Sequence, residues 1–171
     1  MVQDEGRSPA EGIVLAPGVI LRPLTLADAG PLAGLLAEYA GALRHGGPAP
    51  DPDPAYAGAL LQDPKVELHG AFQADGQMVA FVLFLDIPEA ISGRRAGQVD
   101  DLYVSEAARG QRLAQKILEA VARLGEARDW IQVRWLVPVE NTEARRAYAR
   151  FAEEAPWVSH VLWLGDPEAR W

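Results

Sequence analysis

The stretch that most constrains this 171-residue chain runs from position 98 to position 138. QVDDLYV (98–104) reads as a strand. From about Gly110 to Arg128, Leu113, Ile117, Leu118, Val121 and Leu124 fall on one face at helical spacing. Arg112, Lys116, Glu119, Arg123 and Glu126 take the opposite face. WIQVRWLVP (130–138) then reads as a buried strand ended by Pro138. Strand, amphipathic helix and strand in direct succession place the chain in the α/β class.

The remaining elements follow from the same patterns. Residues 1–12 (MVQDEGRSPAEG) have no hydrophobic period and read as a flexible lead-in, leaving 13–171 as one domain. VILRPLT (19–25) reads as a first strand. Thr25 or Asp28 can cap a helix that reaches about Tyr39, with Leu32, Leu35, Leu36 and Tyr39 at helical spacing. A Gly- and Pro-rich loop over 41–54 precedes a short helix around 55–61. VELHGAF (66–72) and QMVAFVLFLDI (77–87) flank Asp75-Gly76, a hairpin signal. An irregular loop is expected over 87–97, a helix over 141–154 and a last strand over WVSHVLWL (157–164). The predicted order is β-α-α-β-β-β-α-β-α-β.

Composition removes several classes of chemistry. With no Cys, disulfides, Cys nucleophiles and Cys-ligated metals are excluded. His45, His69 and His160 are the only histidines and are far apart, so no metal is expected. A formal charge of −8 argues against nucleic acid or an anionic membrane as partner. No apolar run approaches the ~20 residues of a membrane span, and the acidic N-terminus does not resemble a secretory signal. A soluble cytoplasmic protein is the expectation. The charge is uneven, however. Residues 105–128 carry five basic and three acidic side chains, and 141–150 carry three and one, so half of the 16 basic residues sit in two predicted helices. Single arginines on a helix face are ordinarily solvated surface. Their concentration at a Gly-containing strand-to-helix turn raises the prospect of a phosphate site.

That turn is Val104-Ser105-Glu106-Ala107-Ala108-Arg109-Gly110-Gln111-Arg112-Leu113-Ala114. The chain has neither a P-loop G-x-x-x-x-G-K-[ST] nor a dinucleotide-binding G-x-G-x-x-G. The turn resembles the acyl-CoA signature of the GNAT superfamily of N-acetyltransferases. Arg109, Gly110, Gln111, Leu113 and Ala114 match it, after Leu102-Tyr103-Val104, while Arg112 stands where the family has its central glycine. A second block, Asn141-Thr142-Glu143-Ala144-Arg145-Arg146-Ala147-Tyr148, resembles the family's N-x-x-A-x-x-x-Y helix. It runs into Ala152-Glu153 where many members have Gly-Phe. The resemblance spans about 18–165, and the strand at 98–104 and the run at 135–148 look most similar to the diamine and polyamine branch.

The resemblance implies an α/β GNAT fold with a mixed, largely antiparallel sheet flanked by helices. It implies one parallel step, from the strand at 98–104 to that at 131–137, with the two strands splayed to admit the pantetheine arm. Acetyl-CoA would be the co-substrate, with no metal, held by Leu102, Val104, Arg109, Gly110, Gln111, Arg112, Leu113, Ala114 and Asn141. Asn141 can equally cap its own helix. Arg145 and Arg146 could meet phosphates, although solvated surface is the simpler reading for at least one of them. Direct transfer to a primary amine suits a chain without Cys. An amine of pKa near 10.4 is only about 0.04% unprotonated at pH 7, a cost of roughly 4.6 kcal/mol, so a base helps. By the resemblance, Asp100 is the candidate base through water, Asp101 binds a cationic acceptor, and Tyr148 protonates the leaving thiolate. Strand alternation would put Asp100 and Asp101 on opposite faces. The plain alternatives are that one aspartate caps a loop or pairs with Arg, and that Tyr148 is a core aromatic. Glu140 is a spare acid near the same strand end.

The acidic remainder of the chain favours a small cationic amine as acceptor, with a protein Lys or N-terminus second. A non-catalytic acyl-CoA-binding module is the alternative class. His45 reads as a solvated loop residue and His160 as structural. Core packing explains Trp157 and Trp163 best, whereas C-terminal aromatics left exposed, Trp171 among them, would suit a homodimer.

Overall fold

A computed structural model describes residues 12–44 and 48–165. The lead-in over 1–11, His45 and Trp171 lie outside the described residues. The strands are β1 (Ile13–Ala16), β2 (Val19–Pro23), β3 (Glu67–Gln73), β4 (Met78–Glu89), β5 (Arg94–Val104) and β6 (Trp130–Trp135). The helices are α1 (Ala29–Leu43), α2 (Pro54–Leu61), α3 (Leu113–Ala127) and α4 (Thr142–Tyr148). All six strands form one sheet in sequence order. Every pairing is antiparallel except β5 with β6, which is parallel and linked through α3. The expected mixed, largely antiparallel α/β sheet is the one observed.

The sheet divides two cores. On one face α3 lays Leu113, Ile117, Leu118 and Val121 against Val82, Phe84 and Val99. On the other, α1 and α2 cover Leu68, Phe81, Leu83 and Tyr103 with Leu32, Leu35 and Ala57. Alternation along β4 supplies both: Val82 and Phe84 face α3, Phe81 and Leu83 face α1. At the end of α3, Gly97 and Gly125 have no side chain because the Trp130 ring fills the space a Cβ would take.

Several expectations are corrected. A short β1 precedes β2, turning through Gly18 in left-handed conformation (φ 76°). It escaped notice because Val14 is exposed on the outermost strand and four residues carry little periodicity. The irregular loop expected over 87–97 is instead a hairpin extension of β4 and β5. Glu89 accepts the Ser92 N–H at 2.8 Å and Gly93 takes φ 68°. The strand 130–135 is not buried throughout, since it closes the sheet and exposes Ile131. The helix expected over 141–154 ends at Tyr148. Residues 157–164 form no strand, and most of their apolar side chains face solvent.

Candidate active site

The parallel ladder between β5 and β6 ends at Val99 opposite Trp135. Beyond it, residues 100–104 continue as strand against β4, while β6 ends at Trp135. The backbone edge of β5 past Val99 therefore has no ladder partner on the β6 side among the described residues. The resemblance implies that a pantetheine arm would enter at this place.

A β-bulge sits at the same point. Leu83 of β4 pairs with Asp101 and Phe84 pairs with Val99, which leaves Asp100 as an extra residue. The bulge resets the alternation. Val99, Leu102 and Val104 pack toward the α3 core, whereas Tyr103 enters the α1 core and Asp101 meets Tyr39 of α1. The charge of Asp100 also acts on both Tyr39 and Asp101. Opposite-face placement of the two aspartates was the expectation from simple alternation. The inserted residue breaks simple alternation at this point, and the charges of both aspartates act on Tyr39.

Sequence reasoning read Tyr39 only as an apolar helix position. Its ring packs on Phe81 at 6.0 Å and on Tyr103 at 5.4 Å. Its phenol and the Asp101 carboxyl influence each other through hydrogen bonding. Burial, and then the charges of Asp101 and Asp100, raise the Tyr39 phenol far above its ordinary range, so it stays a donor. Burial pushes the Asp101 carboxyl up, the hydrogen-bonding influence of Tyr39 opposes the rise, and the charge of Asp100 adds to it. Exposed Glu38 accepts from the Tyr103 hydroxyl at 3.4 Å. Burial, followed by the charge of Glu38, raises the Tyr103 phenol as well. Only the one-residue shift of the bulge brings these groups together, and no local pattern announces it.

Past β5, a single 3₁₀ turn over Glu106–Ala108 leads into the motif. Arg109 is extended, Gly110 takes φ 83°, and Arg112 takes φ 56° as the residue before α3. A side chain at Gly110 would meet open space, so its absence serves conformation and outward access rather than packing. Arg109, Gly110, Gln111 and Arg112 are exposed, while Leu113 is core. The first-turn N–H groups of α3 and three nearby cations, Arg109, Arg112 and Lys116, make this an electropositive rim. Gln111 also lines a cavity of about 350 Å³ with Gly18, Gln73 and Asp75. An extended, doubly anionic ligand fits the ensemble: an unpaired strand edge for an amide-bearing arm, and outward backbone amides with arginines for phosphates.

Across the cleft, Tyr148 ends α4 and packs edge-on against Trp135 (5.5 Å), the last paired residue of β6. Burial alone raises its phenol. Asn141 caps α4, its Oδ1 accepting the Ala144 N–H at 3.1 Å, and its amide group remains able to donate elsewhere. Arg145 is held by Glu154 at 2.9 Å and by the Val139 carbonyl, whereas Arg146 is exposed. Glu140 is exposed beside Asn141. His69 is buried between β2 and β4, edge-on to Phe84, away from this opening. Among the described residues, no three His, Asp or Glu side chains converge as a metal site would, and no helix is long and apolar enough to cross a membrane.

Comparison with known proteins agrees with this geometry. The model of the Acetyltransferase (GNAT) family matches residues 35–152. Among solved structures, a ribosomal-protein-alanine N-acetyltransferase from Brucella melitensis biovar Abortus 2308 is 39% identical. That match has a TM-score of 0.74 and covers 85% of this chain and 99% of that one. An integron cassette protein from the V. cholerae mobile metagenome is 17% identical (TM-score 0.73, covering 87% and 94%). An aminoglycoside acetyltransferase from an uncultured soil metagenomic sample is 18% identical (TM-score 0.69, covering 86% and 99%). These last two share the fold. A search of curated proteins returns no match.

Proposed function

The chain belongs to the GNAT family, enzymes that transfer an acetyl group from acetyl-CoA to an amine, and we propose that its acceptor is a cationic primary amine reached by direct transfer. The acceptor is first a small amine. The observation that carries this reading is the cluster at the bulge, where the charges of Asp101 and Asp100 act on Tyr39, next to Glu38 and Tyr103.

The residues fit acetyl-CoA as described: Leu102 and Val104 offer backbone at the unpaired strand edge. The Arg109, Gly110, Gln111 and Arg112 turn, with the amides of Leu113 and Ala114, faces the phosphates. Asn141 offers its amide to the arm. When bound, acetyl-CoA supplies a thioester, an acetyl group activated toward amines. Asp101 attracts the ammonium group and Tyr39 holds that carboxylate in place. Asp100, exposed at the bulge, takes the proton from the amine through water. Tyr148, kept protonated by burial, gives its proton to the departing thiolate sulfur. The chain has no Cys to carry an acetyl group, which supports a ternary complex over a covalent enzyme intermediate.

A second acceptor, the N-terminal amine of a protein, is favoured by the similarity to the ribosomal-protein-alanine N-acetyltransferase. Calorimetric titration with acetyl-CoA and with CoA tests the first half of the proposal. Micromolar binding is expected, and none at millimolar ligand would sink it. Turnover with a panel of diamines, polyamines and alanine-starting peptides then separates the two acceptors. Tyr148→Phe should lower kcat at least 10-fold with acetyl-CoA affinity little changed. A variant at the wild-type rate removes Tyr148 from the mechanism, and a chain that binds acetyl-CoA but turns over no amine is a binding module.

A further inference from the structure

Helix α4 carries a reactive group that it cannot hold in place by itself. It is seven residues long and none of them is buried. A helix this short has little stability of its own in water, so packing at its end must fix it. Its last residue is Tyr148, half-buried. What packs there is a cluster of aromatic rings. Tyr148 stands edge-on to Trp135, with centroids 5.5 Å apart and planes at 80°. It stands edge-on to Phe151 as well, at 5.9 Å and 89°. Trp135 and Phe151 are in turn stacked, at 6.1 Å and 18°. Edge-to-face and stacked pairs at such separations are the arrangements that aromatic rings favour.

The two partner rings are anchored independently of each other. Trp135 is the last paired residue of β6 and lies opposite Val99 of β5. Asp100 is the next residue after Val99. One rung of the parallel ladder thus fixes both the strand position of Asp100 and the indole against which Tyr148 rests. Trp135 and Tyr148 also pack on the core beneath α3. Phe151 is anchored from the other direction. Its N–H donates to the Tyr148 carbonyl at 3.0 Å, and the Ala152 N–H donates to the same carbonyl at 2.9 Å. This turn returns the Phe151 ring to the end of the helix it has just left. Further along, Arg145 holds both carboxylate oxygens of Glu154, at 3.0 and 2.9 Å.

We infer that Trp135 and Phe151 are positioning residues for the transfer step: their rings set the direction of the Tyr148 phenol and so aim its proton at the departing sulfur. The inference rests on the reading of Tyr148 as proton donor. A proton passes only when donor and acceptor atoms come within about 3 Å, so a phenol that swings freely loses rate while keeping its hydroxyl. Phe151 has no polar atom with which to act on the reaction directly. Both rings lie outside the Arg109–Ala114 turn, so the grip on acetyl-CoA does not depend on them.

Phe151→Leu keeps an apolar side chain at a position 36% exposed and removes one wall of the cluster. It should lower kcat about 5-fold, with the acetyl-CoA dissociation constant held within about twofold. In a Tyr148→Phe background the same substitution should change kcat less than about twofold, because the ring it aims no longer carries a proton. Trp135→Leu should behave like Phe151→Leu, and Trp135→Phe, which restores a ring, should recover most of the loss. Release of the CoA thiol reports the rate, with the best amine of the panel or, where none is used, with water as acceptor. Ring placement is read separately, without ligand, by nuclear magnetic resonance of protein carrying 13C-labelled tyrosine. The signal missing from Tyr148→Phe belongs to Tyr148, and in Phe151→Leu it should move toward its value in an unfolded chain. A Tyr148 signal that stays in place overturns the inference, as does one that moves while kcat does not. Equal slowing of the parent and of Tyr148→Phe by Phe151→Leu overturns it too, since that is a general structural effect. Tyr148→Phe at the parent rate is a different result: it removes the proton donor itself, and the inference falls with its premise.

Discussion

Tyr39 shows how one hydroxyl can set the behaviour of a site. Its hydrogen-bonding influence holds the Asp101 carboxyl below where burial alone would put it. In Tyr39→Phe the ring contacts with Phe81 and Tyr103 remain and that influence is lost, so Asp101 keeps its proton to higher pH. The acidic limb of kcat/KM for the acceptor should then move upward in pH and the acceptor KM should rise several-fold at neutral pH. An unmoved limb in the pH profile would exclude the pairing. Arg112 is the opposite case, a residue held against its own preference. At φ 56° a side chain costs about 1 kcal/mol relative to glycine. Arg112→Gly should raise Tm by roughly 2–4 °C in a thermal melt, and a weaker grip on acetyl-CoA in the same variant would show that the guanidinium contributes to binding.

Among the elements, the entry to α1 carries the clearest pH signature. Asp28 accepts from both Arg22 guanidinium nitrogens at 2.9 and 2.8 Å, and from the Thr25 N–H at 2.8 Å and hydroxyl at 3.0 Å. Chiefly through Arg22, its carboxyl is lowered from the usual 3.8 to about 2. A depressed folded-state value means stability present above pH 4 and lost as pH falls through 2. Asp28→Asn should cost about 2 kcal/mol at neutral pH, with the gap to the parent protein closing near pH 2 in urea melts. What was legible in the sequence tracks this contrast between local and distant causes. Helix α3 was plain because its five apolar positions are all its own business. So were β3 and β4, whose Asp75-Gly76 turn is local. The hairpin at 90–93 was hidden because Pro88, Ser92 and Gly93 look like loop residues until Glu89 is seen bonding across them. The segment 157–164 looks like a strand, yet a strand needs a neighbour, and its own spacing cannot name one. Tyr148 and the Arg109–Ala114 turn were found through resemblance, while Tyr39, Glu38 and Tyr103 depend on which way β5 faces after the bulge.

At the scale of the whole molecule, charge and layering matter together. The chain carries −8, and its cations gather at the α3 turn and α4, leaving the remaining surface strongly acidic. A cationic acceptor would be drawn toward such a field, so its KM should rise with salt while kcat changes little. Indifference to ionic strength would count against electrostatic recruitment. The sheet between the two cores sets a further condition on the site. Along β5, an odd or even count decides whether a side chain meets α3 or α1, and Asp100 is the residue that changes the count. Substituting another residue there alters one side chain. Removing the position would set Asp101 directly after Val99, and with Leu83 and Phe84 still opposite them plain alternation would keep Val99 toward α3 and Asp101 toward α1. A single-codon deletion there would remove the bulge and one carboxylate while leaving the downstream side chains on their own faces.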